Sequence, residues 1–101
     1  MIDNDLYSGL IRLHVLHHAN EEPIFGLGII EELSHHGYQI SAGTLYPMLH
    51  GLEKKGYLLS TTKRSGRSQR RIYKITPAGR EVLTAAKIKV KELFSELFEE
   101  K

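Results

Sequence analysis

Basic side chains are concentrated in one segment of this 101-residue sequence. Between Glu53 and Glu81 there are nine bases and no acid, whereas residues 1–53 carry seven acids and one base, so the net charge of +2 conceals a strongly positive region. Lysine and arginine pair with phosphates, and such a cluster predicts contact with a polyanion such as nucleic acid. The alternative is a solvated basic hairpin without a partner. The nine bases are Lys54, Lys55, Lys63, Arg64, Arg67, Arg70, Arg71, Lys74 and Arg80.

The six histidines are the other side chains that could do chemistry. His14 and His18 have an i,i+4 spacing that would let two imidazoles on one helix bind zinc, copper or nickel. The chain has no cysteine and no His-Glu-x-x-His pattern, however, and His35 and His36 also suit a helix C-terminus. We therefore predict no metal site and no cofactor. A metal- or pH-responsive protein remains an alternative, and it would use His14, His17, His18 or His50.

The sequence carries no enzymatic constellation. It has no phosphate-binding loop and no Gly-x-Ser-x-Gly elbow, and its nine glycines are dispersed. The absence of cysteine excludes a disulfide framework and a thiol redox sensor. No apolar run is long enough to span a membrane, and the acidic N-terminus lacks a signal-peptide pattern. We expect a small, non-enzymatic, cytoplasmic protein without a membrane partner.

Four helices and one hairpin are predicted to position these side chains. In the second helix we expect Leu27, Ile30 and Leu33 to point inward. In the third, Pro47 is awkward if Ser41 is the N-cap and comfortable if Thr44 is, so we expect a late-starting or slightly bent helix. The predicted helices cover about residues 5–18, 26–36, 41–55 and 77 to near the C-terminus, and the predicted strands cover 57–62 and 70–75 around a turn at 65–68.

Three helices followed by a basic hairpin is the element order of a winged helix. In that architecture the third helix enters the DNA major groove, and the hairpin, or wing, reaches the flanking backbone or minor groove. The predicted fold class is therefore mainly α with a small β-hairpin. It divides into a winged helix-turn-helix over residues 1–76 and a C-terminal dimerisation helix over residues 77–101.

Apolar residues on the first and last helices predict a dimer interface. The first helix has a second apolar stripe beyond the one its own core needs. The last helix repeats apolar residues at heptad spacing over about two heptads, and at ~30 Å it is too long for a three-helix core to cover. Packing within the chain's own domain is the alternative. The predicted interface residues are Leu10, Leu13, Leu83, Ala86, Val90, Leu93 and Leu97.

The third helix and the hairpin carry side chains that suit DNA. Hydroxyl, phenol and imidazole groups at the N-terminal or exposed side of the helix can contact phosphates and base edges. Lys54 ends the helix near a phosphate strand, and arginines of the hairpin can read the shape of a narrow minor groove. The predicted helix residues are Ser41, Thr44, Tyr46 and His50, and the predicted hairpin residues are Arg64, Arg67, Arg70 and Arg71.

The segment Ser41–Leu58, SAGTLYPMLHGLEKKGYL, resembles the recognition-helix signature of PadR-family transcriptional regulators. The shared core is Gly-Thr-Leu-Tyr-Pro-x-Leu-x-x-Leu-Glu-x-x-Gly, and Arg70–Gly79 is similar to the family's wing strand and the entry to its last helix. The resemblance covers about residues 6–98, and the short last helix resembles the compact branch of the family. The chain departs from the family at Gly26-Leu27-Gly28 and at Ile72-Tyr73, and it lacks tryptophan.

The resemblance implies a homodimeric repressor that binds a double-stranded DNA operator. Its reading residues would include Pro47 beside the hydroxyl-bearing side chains named above, and a small-molecule effector bound near the dimer interface would release it. Tyr7, Phe94 and Phe98 could line the effector pocket, although filling the interface is the alternative. A winged-helix module that binds proteins and not DNA also stays open.

Overall fold

The winged helix-turn-helix predicted from the sequence is present. A computed structural model describes residues 3–99. α1 lies about one turn later than predicted, and both strands extend further toward the hairpin turn. The elements are α1 Ser8–Glu21, α2 Gly26–His35, α3 Ala42–Lys54, β1 Leu58–Ser65, β2 Ser68–Ile75 and α4 Pro77–Leu97. No helix among residues 3–99 has both the length and the apolar character needed to cross a lipid bilayer.

A single apolar core holds the first three helices against the base of the hairpin and the start of α4. α1 contributes the stripe that contains Ile11 and Val15, both fully buried, and α4 contributes Leu83. Because Leu83 is part of this core, the first turns of α4 pack with the winged-helix region. The largest fully buried side chains are Ile11, Val15, Leu33, Leu45, Leu49 and Leu58.

The inward face of α2 differs from the predicted one. Leu27 is 67% exposed, whereas Ile29 and Leu33 are buried. Residues one turn apart share a face, and Leu27 lies about 160° around the helix from Ile29. The prediction that Leu27 points into the core is therefore wrong.

α3 begins at Ala42, earlier than one of the two predicted starts. The Ser41 hydroxyl accepts a hydrogen bond from the Thr44 amide at 3.3 Å, so Ser41 is the N-cap and the expected late start is wrong. Pro47 consequently lies inside the helix. Its nitrogen has no hydrogen to donate to the Gly43 carbonyl. Gly43, the residue that carries this carbonyl, is exposed.

A two-residue turn closes the hairpin. Ser65 pairs with Ser68, and Gly66 has a φ of 60° between them. Glycine with positive φ at the first turn position is typical of a type II′ turn, which matches the twist of paired strands. At the other end, Ile24 bridges β2, since its amide donates to the Tyr73 carbonyl at 2.9 Å and its carbonyl accepts from the Tyr73 amide at 2.8 Å. The loop before α2 therefore anchors the base of the hairpin.

One junction fixes α4 to the end of α3 and the start of β1. The Thr76 hydroxyl donates to the Gly56 carbonyl at 2.5 Å and accepts from the Gly79 amide at 3.0 Å. The Thr76 amide donates to the Tyr57 carbonyl at 3.1 Å. A Cβ at Gly79 would collide with that carbonyl and come within 2.7 Å of Ile75 Cγ1. Only glycine lets the backbones approach this closely.

We expect Gly79→Ala to lower the free energy of unfolding by about 1–3 kcal/mol, because the new methyl group meets a backbone carbonyl that cannot move aside. Chemical denaturation measures the change. Gly51→Ala is the control, since a Cβ there meets nothing within 4 Å. Alanine is the better helix former, so the control should be stabilised by up to ~1 kcal/mol. Equal stabilities for the two variants would contradict the close approach at Gly79.

Candidate nucleic-acid interface

Basic side chains cover both faces of the hairpin. We call Lys63, Arg64, Arg67, Arg70 and Arg71 the basic wing, and all five are exposed. Lys63 and Arg70 are directly paired across the two strands, and Arg64 and Arg71 are diagonal neighbours on the other face. Like charges at such positions repel each other. None of the ion pairs formed among residues 3–99 includes a side chain of the basic wing, although the Glu53 carboxylate is close enough to Arg71 for their charges to interact. Lys63 and Arg70 therefore face each other without an ion-paired acid.

Arg70 is held by an aromatic ring as well as by its strand. Its guanidinium carbon lies 4.0 Å above the centroid of the Phe25 ring. Phe25 is the N-cap residue of α2, and its ring would lie within about 3.3 Å of a Cβ at Gly28. A cation–π contact at an exposed site contributes about 0.5–1 kcal/mol. The contact orients Arg70 while the guanidinium stays exposed, as a phosphate contact would require.

The residues of α3 that were predicted to contact DNA lie at its surface. Ser41, Thr44, Pro47 and His50 are exposed, and Lys54 is exposed at the C-terminal end of the helix. The opposite face of α3 is buried through Leu45, Met48, Leu49 and Leu52. α3 therefore presents one polar face, as a helix that enters a DNA groove must.

Tyr46 has a structural role that sequence reasoning missed. Its side chain is 42% exposed, and its ring covers Gly26 at the start of α2. A Cβ at Gly26 would come within 2.6 Å of Tyr46 Cζ and 2.7 Å of Cε1. Gly26 therefore leaves room for the Tyr46 ring to lie between the two helices. The Gly26-Leu27-Gly28 segment differs from the pattern that the sequence resembles, but it retains the glycine at position 26 that this contact requires.

Glu53 connects α3 to the wing. Its carboxylate Oε2 accepts hydrogen bonds from the Ser60 hydroxyl at 2.5 Å and from the Ser60 amide at 3.1 Å. The hydroxyl hydrogen bond is the main reason that the pKa of Glu53 lies below the ordinary carboxyl value, with smaller contributions from the amide, Arg71 and His50. The motif glutamate thus orients β1 relative to α3.

We expect Ser60→Ala to lower the free energy of unfolding at pH 7 by about 1 kcal/mol, the usual contribution of such a hydrogen bond. Because the folded pKa of Glu53 is lowered, the contribution is present above the unfolded pKa and is lost as the pH falls through the folded value. The difference between wild type and variant should therefore shrink on acidification. Urea denaturation at several pH values measures it. Ser68→Ala, at the exposed tip, is the control, and a pH-independent difference for Ser60→Ala would contradict the role of Glu53.

Residues 15–85 match the PadR-like family of transcriptional regulators. This segment contains α2, α3, the hairpin and the start of α4. The chain belongs to this family. It is therefore a transcriptional regulator and not an enzyme, and the resemblance seen in the sequence is confirmed.

Relatives of this PadR-like regulator cover nearly its whole length. Transcriptional regulator Rv3488 of Mycobacterium tuberculosis is 46% identical over 87 residues, which are 86% of this chain and 81% of that protein. A PadR family transcriptional regulator from Eggerthella lenta superimposes with a TM-score of 0.82 at 31% identity, covering 96% of this chain and 88% of the other. A PadR-like transcriptional regulator from Bacillus cereus gives a TM-score of 0.80 at 25% identity, covering 96% and 99%.

In this PadR-like chain, α1 and α4 enclose an apolar groove of about 420 Å³. We call it the α1–α4 groove. Two lysines and two histidines border its apolar lining. Its lining includes Leu10, Leu13, Leu83, Ala86, Val90 and Phe94.

The three aromatic residues predicted to form a ligand pocket do not lie together around this groove. Phe94 lines it, and Phe98 packs against Phe94 with tilted rings whose centroids lie 4.8 Å apart, but Phe98 is not part of the lining. Tyr7 packs edge-on against Tyr38, 6.0 Å between centroids. The difference arises because Tyr7 precedes α1 and contacts the segment after α2, while the groove begins one turn later at Leu10.

The histidines fall into separate groups. His50 lies on α3 with the predicted DNA-contacting residues, whereas His14 and His18 on α1 meet His36 at the end of α2. The sequence had shown the 14/18 spacing, but His36 is distant in the chain and reaches the others only through the packing of α2 on α1. Sequence reasoning therefore missed this third imidazole.

Proposed function

We propose that this PadR-family chain is a homodimeric repressor that binds operator DNA and is released by a small molecule. α3 would enter the major groove with Ser41, Thr44, Tyr46 and Pro47 toward the bases, while Lys54 and the basic wing would contact phosphates. The observation that carries the proposal is the wing, where Lys63 and Arg70 face each other without an ion-paired acid. A phosphate backbone would supply the missing negative charge.

Exposed apolar residues on α4 support the homodimer. From Ile88 onward every described residue of the helix is exposed, which leaves Val90 at 44%, Leu93 at 51% and Leu97 at 67%. Leu6, just before α1, and Leu10 on α1 are also exposed, at 70% and 42%. A contiguous apolar surface of this kind marks an interaction site in a soluble protein. Leu83, by contrast, is already buried in the core of its own chain, so it would lie beneath the residues that contact the partner.

The α1–α4 groove is the best candidate for the effector site. Its volume of about 420 Å³ lies within the range of small-molecule pockets, and its apolar lining is bordered by Lys87 and Lys91. An apolar or aromatic compound carrying a negative charge would fit this combination. Since the groove opens on the proposed dimer face, a bound compound could change how the two protomers, and hence the two wings, are spaced.

We expect Lys63→Gln with Arg67→Gln to weaken binding to specific and scrambled DNA alike. Each lost phosphate contact should reduce the slope of log K against log salt by about 1. Stability should be unchanged or slightly higher, because removing Lys63 relieves its repulsion from Arg70. Fluorescence-anisotropy titrations at two salt concentrations measure binding, with the fragment upstream of the gene compared with scrambled DNA.

The matched control is Arg12→Gln with Lys89→Gln, which removes two positive charges outside the wing. It should leave affinity and salt slope nearly unchanged. A preference of the wild type for the upstream fragment of about 10³ or more would support a specific regulator. If both double variants lose affinity equally, the wing has no special role. If the wild type does not bind DNA even at low salt, a module that binds protein partners becomes the better interpretation.

We expect Leu93→Asp to convert the protein to monomers, because a carboxylate at the centre of an apolar interface loses its hydration without gaining a partner. Sedimentation velocity at micromolar concentration measures the association state. Ile88→Asp is the control, since it makes the same change on the opposite face of α4, about 180° from the predicted seam. Intact dimers in Leu93→Asp would place the interface elsewhere.

A further inference from the structure

Two helices bring three imidazoles together. His14 and His18 lie one turn apart on α1, and His36 is the C-cap residue of α2. A ring nitrogen from each lies within 4.8 Å of the others. The His14 and His36 rings stack with centroids 4.8 Å apart, and each lies 6.1 Å from the His18 ring. We call these three residues the histidine cluster.

A carboxylate lies beside the histidine cluster. Glu32 is one turn before His36 on α2, and its Oε1 lies 3.7 Å from His36 Nε2 and 3.9 Å from His18 Nε2. These separations are too long for hydrogen bonds. The carboxylate therefore faces two imidazole nitrogens without bonding to either, and a cation could occupy the space between them.

We propose that the histidine cluster, with Glu32, binds a divalent transition-metal ion such as Zn²⁺. Three imidazole nitrogens and one carboxylate oxygen form a donor set that zinc accepts in a tetrahedron. Nitrogens at zinc-ligand distances are roughly 3.3 Å apart. The three imidazole nitrogens would have to move together by about 1.5 Å at most, which rotation about side-chain bonds allows because the His36 side chain is only partly covered.

An unpaired nitrogen supports the proposal. His18 Nε2 is buried and has no hydrogen-bond partner within the described part of the chain. Buried polar atoms of native proteins almost always have a partner, so an orphan of this kind requires an explanation. Coordination would satisfy it. Burial, and then the neighbouring imidazoles of His36, His18 and His17, lower the pKa of His14, which favours the neutral form that binds metals.

The end of α2 adds to the attraction for a cation. His36 caps the C-terminus of this helix, where the helix dipole concentrates partial negative charge. A metal ion there would be bonded to α1 and α2 at once. Since α2 packs on α3 and α1 carries part of the proposed dimer face, the ion would cross-link the two functional regions of the chain. Metal binding itself does not depend on the proposed DNA binding.

A second group of possible ligands, His17, His18 and Glu21, lies on α1 alone. His17 Nε2 and Glu21 Oε1 are 3.3 Å apart, an ordinary i,i+4 ion pair on an exposed surface. His17 and Glu21 are therefore already partners of each other. The histidine cluster is the more constrained site, because its ligands come from two helices.

Metal binding can be tested on the full chain after chelator treatment and dialysis. Co²⁺ is titrated first, because its visible absorption reports coordination by protein ligands, and Zn²⁺ is then used to displace it. We expect one ion per chain. His14→Gln and His36→Gln should each reduce Co²⁺ affinity at least about tenfold. Glu32→Gln should reduce it by about 10- to 100-fold, whether Glu32 ligates the ion or orients one of its ligands.

His35→Gln and His50→Gln are the matched controls, since both remove an exposed imidazole outside the cluster, and both should keep wild-type affinity. Circular dichroism verifies that each variant is folded. Absence of saturable binding at one ion per chain would overturn the proposal. So would loss of binding in His17→Gln with retention in His36→Gln, because the ion would then lie in the group on α1 alone. No DNA is present, so failure here leaves the proposed repressor function untouched.

Discussion

The whole arrangement depends on the close approach of α4 to the turn between α3 and β1. Thr76 forms hydrogen bonds with Gly56 and Tyr57. Because Gly79 has no side chain, α4 can lie directly against the Tyr57 carbonyl. These contacts occur where the proposed recognition helix ends, the wing begins and the proposed dimer helix starts. A shift of α4 would therefore be transmitted to the wing and to α3 through rigid backbone contacts. The short segment Thr76–Gly79 therefore fixes the orientations of α3, the wing and α4 relative to one another.

Two parts of the molecule carry unfavourable local features that the core compensates. Like charges face each other across the hairpin, and apolar residues of α4 remain in water. Neither feature stabilises the isolated chain. Natural sequences depart from local consistency mainly at functional sites. The two features therefore point to two kinds of partner, a polyanion for the wing and an apolar surface for α4.

Much of the fold could be predicted because its signals are local. Glycine at helix ends, threonine followed by proline before α4, and the turn-rich connection of the hairpin each report the conformation of a few neighbouring residues. The errors came where tertiary packing decides. Leu27 is apolar but exposed because Ile29 and Leu33 define the inward face of α2. Within one chain Tyr7 packs on Tyr38 while Phe94 lines the α1–α4 groove, so a pocket shared by these aromatic residues stays a prediction. The position of His36 beside His14 and His18 depends on how α2 packs on α1, and no local sequence pattern predicts that packing.

The contact between Tyr46 and Gly26 has an evolutionary consequence. The ring that is a candidate for reading DNA rests on the first residue of a different helix, and the space for it exists only because Gly26 has no side chain. Positions 26 and 46 should therefore change together among homologues. A lineage that exchanges Tyr46 for a smaller residue to recognise a different operator would be free to acquire a side chain at 26, and the reverse order of substitutions would be blocked. Divergence in DNA recognition would then follow a preferred mutational path.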